Sequence, residues 1–206
     1  MSAKPDSDNR PGHRGPNLSF GRESALLVVD VQQAIDDPRW AEFGPRNNPE
    51  AEQVMAAVLA DWRARSLRVI HIRHDSSQVA STYYPGSPGH AFKPEVAPRE
   101  GELVLGKQVN SAFIGTDLDQ ILRDQGITRL LIMGVITNNS VEATVRMAGN
   151  LGYDTLLLAD GCFTFARPDY AGVLRSAEEV HNLSLANLDG EYCRVVNSRD
   201  VIADSN

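Results

Sequence analysis

Short continuous apolar runs alternate along this chain with segments of helical periodicity. The runs are ALLVVDV, RVIHIRH, ELVLGK, RLLIMGV, TLLLAD and CRVVN, in that order. An unbroken apolar run of this length is typical of a strand that is buried on both faces, as in a parallel sheet. Capping residues and helical spacing predict helices over about 49–65, 117–125, 141–150 and 177–188. The alternation predicts an α/β fold with a mostly parallel sheet of five or six strands, covered by helices on both faces.

Two segments depart from this alternation. Residues 1–22 are rich in Pro, Gly, Ser, Asp and Arg and have no apolar periodicity, so we expect a flexible N-terminal arm before a single domain over 23–206. Residues 75–102 contain four of the 11 prolines and several Gly and Ser. A connection of that length in a compact domain is more often a functional loop than a plain linker, and a lid over a pocket is one interpretation.

Composition narrows the classes of function. Lys and Arg total 20 against 27 Asp and Glu, and this net charge of −7 argues against a nucleic-acid or membrane-surface partner. The two cysteines, Cys162 and Cys193, are too few for a disulfide framework. The N-terminus lacks the apolar core of a signal peptide, and no apolar run is long enough to span a bilayer. We therefore expect a cytoplasmic protein that acts on a small molecule.

Polar side chains that end apolar runs are the candidates for chemistry, because the ligand crevice of an open α/β sheet lies outside the carboxyl ends of its strands. Asp30 ends the first run, Lys107 follows ELVLG, and Ser140 lies where a strand turns into a helix. Each has an ordinary structural alternative. Asp30 could be a turn residue, Lys107 a surface residue, and Ser140 or Asn139 a helix N-cap.

Three segments resemble a known family when they are taken together. LLVVDVQ, GKQVNSAF and GVITNNSVEATVRMAGNLGYDTLLLADGCFTF are similar, in order and spacing, to the isochorismatase-like hydrolases, also called the cysteine hydrolase superfamily. The resemblance covers roughly residues 24–200. It implies a Rossmann-like, three-layer α/β/α fold, hydrolysis of a small-molecule amide or ureide C–N bond, no cofactor, and a homodimer or homotetramer.

The resemblance also assigns roles to residues. Asp30 matches the catalytic aspartate of the family, Lys107 its lysine, and Ser140 the position of its nucleophilic cysteine. The family usually has a cis peptide before that position, which is expected here between Val135 and Ile136.

A nucleophile at a helix N-terminus faces unpaired backbone N–H groups and the positive end of the helix dipole. The backbone N–H groups of Asn139 and Ser140 are therefore the oxyanion-hole candidates.

Serine at position 140 changes the chemistry, because an alcohol is a far weaker acid than a thiol and a carboxylate is a poor base for it. Four alternatives stay open. In the first, Ser140 was introduced in place of the natural cysteine of an amidohydrolase. In the second, the serine is natural and the protein hydrolyses a vinyl ether without a nucleophile, as isochorismatase does. In the third, Ser140 is a slow nucleophile, and in the fourth the protein is a catalytically weak binding member. We favour the interpretation that the protein hydrolyses an amide or ureide.

Further residues are candidates for the pocket wall because they follow strands or lie near the long loop. They are Gln32, Trp40, Tyr84, Asn110, Phe113 and Phe163. His71, His74 and Asp75 do not match the metal motif of the nicotinamidases, so we expect no metal. His71, His74 and His181 are interpreted as structural histidines, and both cysteines as buried, inert thiols.

Overall fold

Six parallel strands form the central sheet of the computed structural model, which describes residues 18–202. The strands are β1 (Ser24–Val29), β2 (Arg68–His74), β3 (Leu103–Lys107), β4 (Arg129–Val135), β5 (Asp154–Phe163) and β8 (Arg194–Val196). A two-stranded antiparallel hairpin, β6 (Arg167–Pro168) and β7 (Leu174–Arg175), lies apart from the sheet. The six apolar runs therefore form the six strands of one sheet.

Within residues 18–202, four α-helices lie between strands and a fifth follows the last strand. They are α1 (Ala51–Ala64), α2 (Leu118–Asp124), α3 (Glu142–Asn150), α4 (Ala177–Leu188) and α5 (Ser198–Val201), and a π-helical turn, Thr137–Val141, leads directly into α3. The predicted capping box of α4 is present: Ser176 accepts from the Glu179 backbone, and the Glu179 side chain accepts from the Ser176 backbone. The predicted α/β class with a parallel sheet is confirmed.

The order of the strands is β3-β2-β1-β4-β5-β8, so the chain first extends the sheet to one side of β1 and then to the other. Right-handed crossovers in opposite directions place their helices on opposite faces of the sheet. All six residues of β1 are buried, as such cover requires. The direction reverses between β1 and β4, and a ligand crevice is expected outside the carboxyl ends of these two strands.

Two boundaries differ from the sequence prediction. Residues 1–17 of the predicted arm lie outside the described residues, and within 18–22 the ring of Phe20 is buried and lies 4.6 Å from that of Trp62. Asn48 does not cap α1, because its side-chain amide donates to the carbonyl oxygens of Ala159 and Cys162 at 3.0 and 2.6 Å. Asn48 thus ties the start of α1 to β5, a contact that local helix signals do not show.

The long loop over 75–102 is anchored to α1 through charges. Lys93 Nζ lies 2.8 Å from Glu52 Oε1, and Arg46 reaches the same carboxylate at 2.6 and 2.5 Å. Burial of Glu52 opposes its ionisation, but hydrogen bonds from Arg46 and Lys93 outweigh it and lower the pKa from 4.5 to about 2. The ionised carboxylate therefore stabilises the folded state.

We expect Glu52→Gln to destabilise the protein at pH 7 by roughly 3 kcal/mol, the free energy that corresponds to this lowering of the pKa. The contribution is present above the unfolded-state pKa of 4.5 and is lost as pH falls toward 2. Urea unfolding of both proteins between pH 7 and pH 3 measures the difference between their free energies of unfolding, which should become smaller as pH falls. Glu50→Gln, at an exposed position, is the control, and its free energy of unfolding should match that of the unchanged protein. A difference that does not change with pH would contradict a stabilising role for the ionised Glu52 carboxylate.

Candidate active site

Asp30 directly follows β1 and is 4% exposed. Its φ of +57° lies in the left-handed region, which Asp tolerates better than most residues, and its backbone N–H donates to Ile72 O at 2.9 Å. Gly134 in β4 lies opposite Val29, and a side chain there would overlap the Val29 backbone. Glycine thus lets β4 approach β1 closely just before the carboxylate.

Lys107 ends β3, two strands away from Asp30, and is 1% exposed. Its Nζ lies 2.6 Å from Asp30 Oδ2, so the two side chains form a buried ion pair across the carboxyl ends of the strands. Since parallel strands end at the same edge of the sheet, the predicted pair of strand-end residues meets there.

Ser140 lies in the turn that follows β4. The Val135–Ile136 peptide bond is cis, at the position that the resemblance indicates. The turn brings Ser140 Oγ to 3.3 Å from Lys107 Nζ, and Ser140 is 7% exposed. Asp30, Lys107 and Ser140 therefore form one buried cluster, which is the arrangement that the strand-end argument predicts.

Electrostatics in this cluster favour a proton-accepting carboxyl group. Burial raises the pKa of Asp30, while the Lys107 ammonium and the Ser140 hydroxyl oppose the shift. Within residues 18–202, Asp30 Oδ1 is buried and has no hydrogen-bond partner. A carboxylate with an unpaired oxygen and a raised pKa can take up and return a proton during a reaction.

His74, which the sequence analysis interprets as structural, also belongs to the cluster. It ends β2, is half-buried, and its Nδ1 lies 3.5 Å from Lys107 Nζ. Burial lowers the pKa of His74, the Asp30 charge opposes the shift, and Lys107 adds to it. The signal for His74 was its place at a strand end next to the strand of Lys107, which is the rule that found the other three residues.

Gln32 does not line the pocket, contrary to the prediction from the sequence. It is fully buried, and its side-chain amide donates to the backbone oxygens of His74 and His90 at 3.2 and 2.9 Å. Its Oε1 accepts from the His74 backbone N–H at 2.7 Å. With donor and acceptor engaged by the backbone, Gln32 joins the long loop to β2 and does not line a pocket.

The aromatic residues beside the cluster differ in part from those predicted. Tyr83, not Tyr84, faces the cluster: its ring lies edge-on to His74 at 5.5 Å, and its hydroxyl lies 3.5 Å from Asp30 O. Trp40 continues this wall, because its ring lies edge-on to Tyr83 at 6.4 Å and stacks on Phe165 at 6.0 Å. Tyr83 therefore lies beside the cluster, and Trp40 packs against Tyr83.

Two of the three remaining pocket candidates lie in the core. Phe113 is 9% exposed and stacks on Tyr153 at 5.9 Å. Phe163 is fully buried, with the Arg46 guanidinium 4.0 Å from its ring centre. These two are corrections, since strand-end position alone does not show on which face a ring packs. Asn110 is exposed on the loop after β3 and stays a prediction.

One of the two expected oxyanion donors is engaged, because the Asn139 backbone N–H donates to Ile136 O at 3.1 Å. Thr137 Oγ1 in the same turn lies 2.9 Å from His181 Nδ1, so His181 fixes the turn that carries Ser140. His181 thereby has the structural role expected of it.

Other candidate groups have structural surroundings. His71 is buried with its Nε2 2.9 Å from Glu102. Burial raises the pKa of the Cys162 thiol to about 12, which disfavours its thiolate. Over residues 18–202 there is no group of three or more His, Cys, Asp or Glu side chains that could hold a metal ion. In the same range, no helix is long and apolar enough to cross a membrane.

Comparisons with known proteins show which family the chain resembles over most of its length. A family model described as the isochorismatase domain matches residues 24–192. The uncharacterised isochorismatase family protein YrdC of Bacillus subtilis is 39% identical over 182 residues, which are 88% of this chain and 96% of YrdC. Maleamate amidohydrolase of Pseudomonas putida is 29% identical over 209 residues, covering 95% of this chain and 92% of that protein.

A solved structure is similar over nearly the whole domain. The crystal structure of an isochorismatase-family protein from Chromobacterium violaceum superposes with a TM-score of 0.87 at 60% sequence identity. The match covers 91% of this chain and 96% of that chain.

The ion pair between Asp30 and Lys107 gives a prediction about stability. Asp30→Asn and Lys107→Met each leave one charge buried without its partner, and each should destabilise the protein by about 3–5 kcal/mol. The double variant removes both charges, and its loss of stability should be smaller than the sum of the losses in the two single variants, with a coupling energy of at least about 2 kcal/mol. Urea unfolding at pH 7 of the unchanged protein, the two single variants and the double variant measures this coupling energy.

The matched control is the ion pair between Arg129 and Asp154, also 2.6 Å long but with Asp154 51% exposed. The same cycle with Arg129→Met and Asp154→Asn should give a coupling below about 1 kcal/mol. Equal coupling energies in the two cycles would contradict the claim that burial makes the Asp30–Lys107 pair special.

Proposed function

The chain belongs to the isochorismatase family of hydrolases, and from this membership we propose that it hydrolyses the C–N bond of a small-molecule amide or ureide. The observation that carries the proposal is the buried cluster of Asp30, Lys107 and Ser140 at the carboxyl ends of β1, β3 and β4. It holds a nucleophile, a proton carrier and a positive charge within hydrogen-bond reach of one another.

The proposed reaction starts with Ser140 Oγ, which forms a bond to the carbonyl carbon while the hydroxyl proton moves to the Asp30 carboxylate. The π electrons of the carbonyl move to its oxygen, which backbone N–H groups at the start of the helix stabilise. The C–N bond then breaks as the nitrogen takes that proton from Asp30. Water hydrolyses the acyl ester, and the Ser140 hydroxyl is restored.

The environment of the cluster supports this chemistry. Lys107, Asp30 and Ser140 are 1%, 4% and 7% exposed, so their charges interact in a medium of low dielectric constant. Trp40 and Tyr83 give the adjacent wall an apolar surface, which suits a small organic substrate. Similarity to maleamate amidohydrolase over most of both chains adds weight to amide chemistry.

Vinyl ether hydrolysis is the second candidate, because it needs an acid and no nucleophile. The raised pKa of Asp30 favours it, since a protonated carboxyl group could protonate the vinyl carbon directly. The two candidates differ in one respect that can be measured: only amide hydrolysis depends on the atom at position 140.

We expect ammonia release from a panel of small primary amides and ureides that includes maleamate. Ser140→Cys should turn over the same substrates faster by about 10²-fold or more, because a thiol gives up its proton more readily than an alcohol. Ser140→Ala should release none. Asp30→Asn should reduce the rate by at least about 10²-fold in either background.

The outcomes separate the candidates. If neither the unchanged protein nor Ser140→Cys releases ammonia, amide hydrolysis is excluded for the panel. If Ser140→Ala hydrolyses a vinyl ether at the unchanged rate while Asp30→Asn does not, the second candidate replaces the first. Full activity of Asp30→Asn would remove Asp30 from the site.

A further inference from the structure

We propose that the substrate is an amide with a flat, uncharged acyl group, which an aromatic row of Tyr83, Trp40 and Phe165 selects over an acidic one. The inference rests on the proposed function and deepens it, because it names the class of amide that the site takes. The carbonyl carbon of such an amide meets Ser140, and its acyl group lies along the rings of the row.

The aromatic row begins at the Asp30 side of the cluster. The Tyr83 ring lies edge-on to His74 at 5.5 Å, and its hydroxyl lies 3.5 Å from Asp30 O. The Trp40 ring follows, edge-on to Tyr83 at 6.4 Å and stacked on Phe165 at 6.0 Å. Each ring therefore packs against the next, and the three form one continuous apolar surface that starts beside the proton-accepting carboxylate.

The other end of the aromatic row returns to the turn that carries the nucleophile. Phe165 directly follows Thr164, whose hydroxyl donates to Asn138 Oδ1 at 2.5 Å. Asn138 lies two residues before Ser140 in the π-helical turn. Since one end of the row is attached at Asp30 and the other at this turn, the rings and Ser140 border the same space. The polar groups at this end, a hydroxyl and an amide, are uncharged.

Hydrogen bonds fix the rings and leave their apolar faces for a ligand. The Trp40 indole N–H donates to Ala34 O at 3.0 Å. The hydroxyl of Thr82, next to Tyr83 in the chain, donates to the same oxygen at 3.4 Å. Trp40 is half-buried, whereas Tyr83 and Phe165 are 8% and 9% exposed. Trp40 thus offers the largest free surface of the row, and because it is already held in place, a flat group can stack on it with little loss of side-chain entropy.

The charges around this space disfavour an acidic substrate. A carboxylate that enters a buried site loses its hydration and needs a cation in return. Within 30–46, 83–93, 107 and 163–167, the basic side chains other than Arg167 already contact carboxylates: Arg39 contacts Asp37, Arg46 contacts Glu52, His90 contacts Asp75, Lys93 contacts Asp36 and Glu52, and Lys107 contacts Asp30.

Two basic side chains need separate treatment. Burial lowers the pKa of His74, the Asp30 charge opposes the shift and Lys107 adds to it, so the imidazole is neutral at pH 7. Arg167 is exposed on β6, and within residues 18–202 it has no carboxylate partner. An acidic acyl group could therefore gain a cation from Arg167 alone, which a single substitution tests.

The test measures binding and needs no turnover. Two pairs of amides isolate shape and charge: benzamide against cyclohexanecarboxamide, which has a puckered ring, and maleamide against maleamate, which differs from it by one carboxylate. Isothermal titration calorimetry of the full chain with Ser140→Ala at pH 7 gives the dissociation constants. We expect benzamide to bind at least about threefold more tightly than cyclohexanecarboxamide. Maleamide should bind at least about tenfold more tightly than maleamate.

Variants of Trp40 in the same background assign the shape preference to the aromatic row. Trp40→Leu should bring the affinities for benzamide and cyclohexanecarboxamide within about twofold of each other, because leucine offers no flat face. Trp40→Phe keeps a flat ring and should keep the preference. Phe43→Leu replaces an exposed ring three residues away and is the matched control, which should leave the preference unchanged. Thermal unfolding confirms that each variant is folded, and Phe165→Leu takes the place of Trp40→Leu if that variant is not.

Three results would overturn the inference. The first is that neither benzamide nor maleamide binds at about 10 mM. The second is equal affinities within either pair, and a loss of maleamate binding in Arg167→Gln would then show that Arg167 supplies the cation. The third is a preference for benzamide over cyclohexanecarboxamide that persists in Trp40→Leu.

Ammonia release separates this inference from the proposed function. Faster release from maleamate than from maleamide would uphold amide hydrolysis and count against the selectivity of the aromatic row alone. The expected binding preferences without ammonia release from any amide would uphold that selectivity and count against the proposed function alone.

Discussion

The buried ion pair between Asp30 and Lys107 is the constraint on which the rest of the site depends. Removing a carboxylate and an ammonium from water costs several kcal/mol for each ion, and their attraction offsets this only at close range. The 2.6 Å contact provides that range across two strands, so the ends of β1 and β3 must keep a fixed relative position. An apolar pair would fill the same space with less cost, and retention of charges here therefore points to chemistry.

The long loop is attached to the strand ends that lie next to this ion pair. Gln32, two residues after Asp30, bonds the backbone of His74 at the end of β2 and of His90 in the loop. Lys93 in the same loop is held by Glu52 of α1. The loop is thus attached both to the strand ends and to a helix, and it holds Tyr83 against the cluster. Segment 75–102 is part of the site wall and not only a connection.

The sequence predicts the strand ends well and the side-chain directions poorly. The six buried runs and their alternation with helices fixed the parallel sheet, and the strand-end rule found Asp30, Lys107 and Ser140 because parallel strands finish at one edge. The sequence favours Tyr84 over its neighbour Tyr83, since inside an irregular loop no period of two or 3.6 tells which ring turns inward. It does not show the structural role of Gln32, because the partners of that side chain, the backbones of His74 and His90, are distant in sequence.

The position of His74 is also beyond what the sequence pattern alone can predict. Alternation along a strand says that neighbours point to opposite faces, yet it does not say where a strand ends relative to the next one. In the sheet His74 pairs with Lys107, the last residue of β3, and this register places its imidazole beside the ion pair.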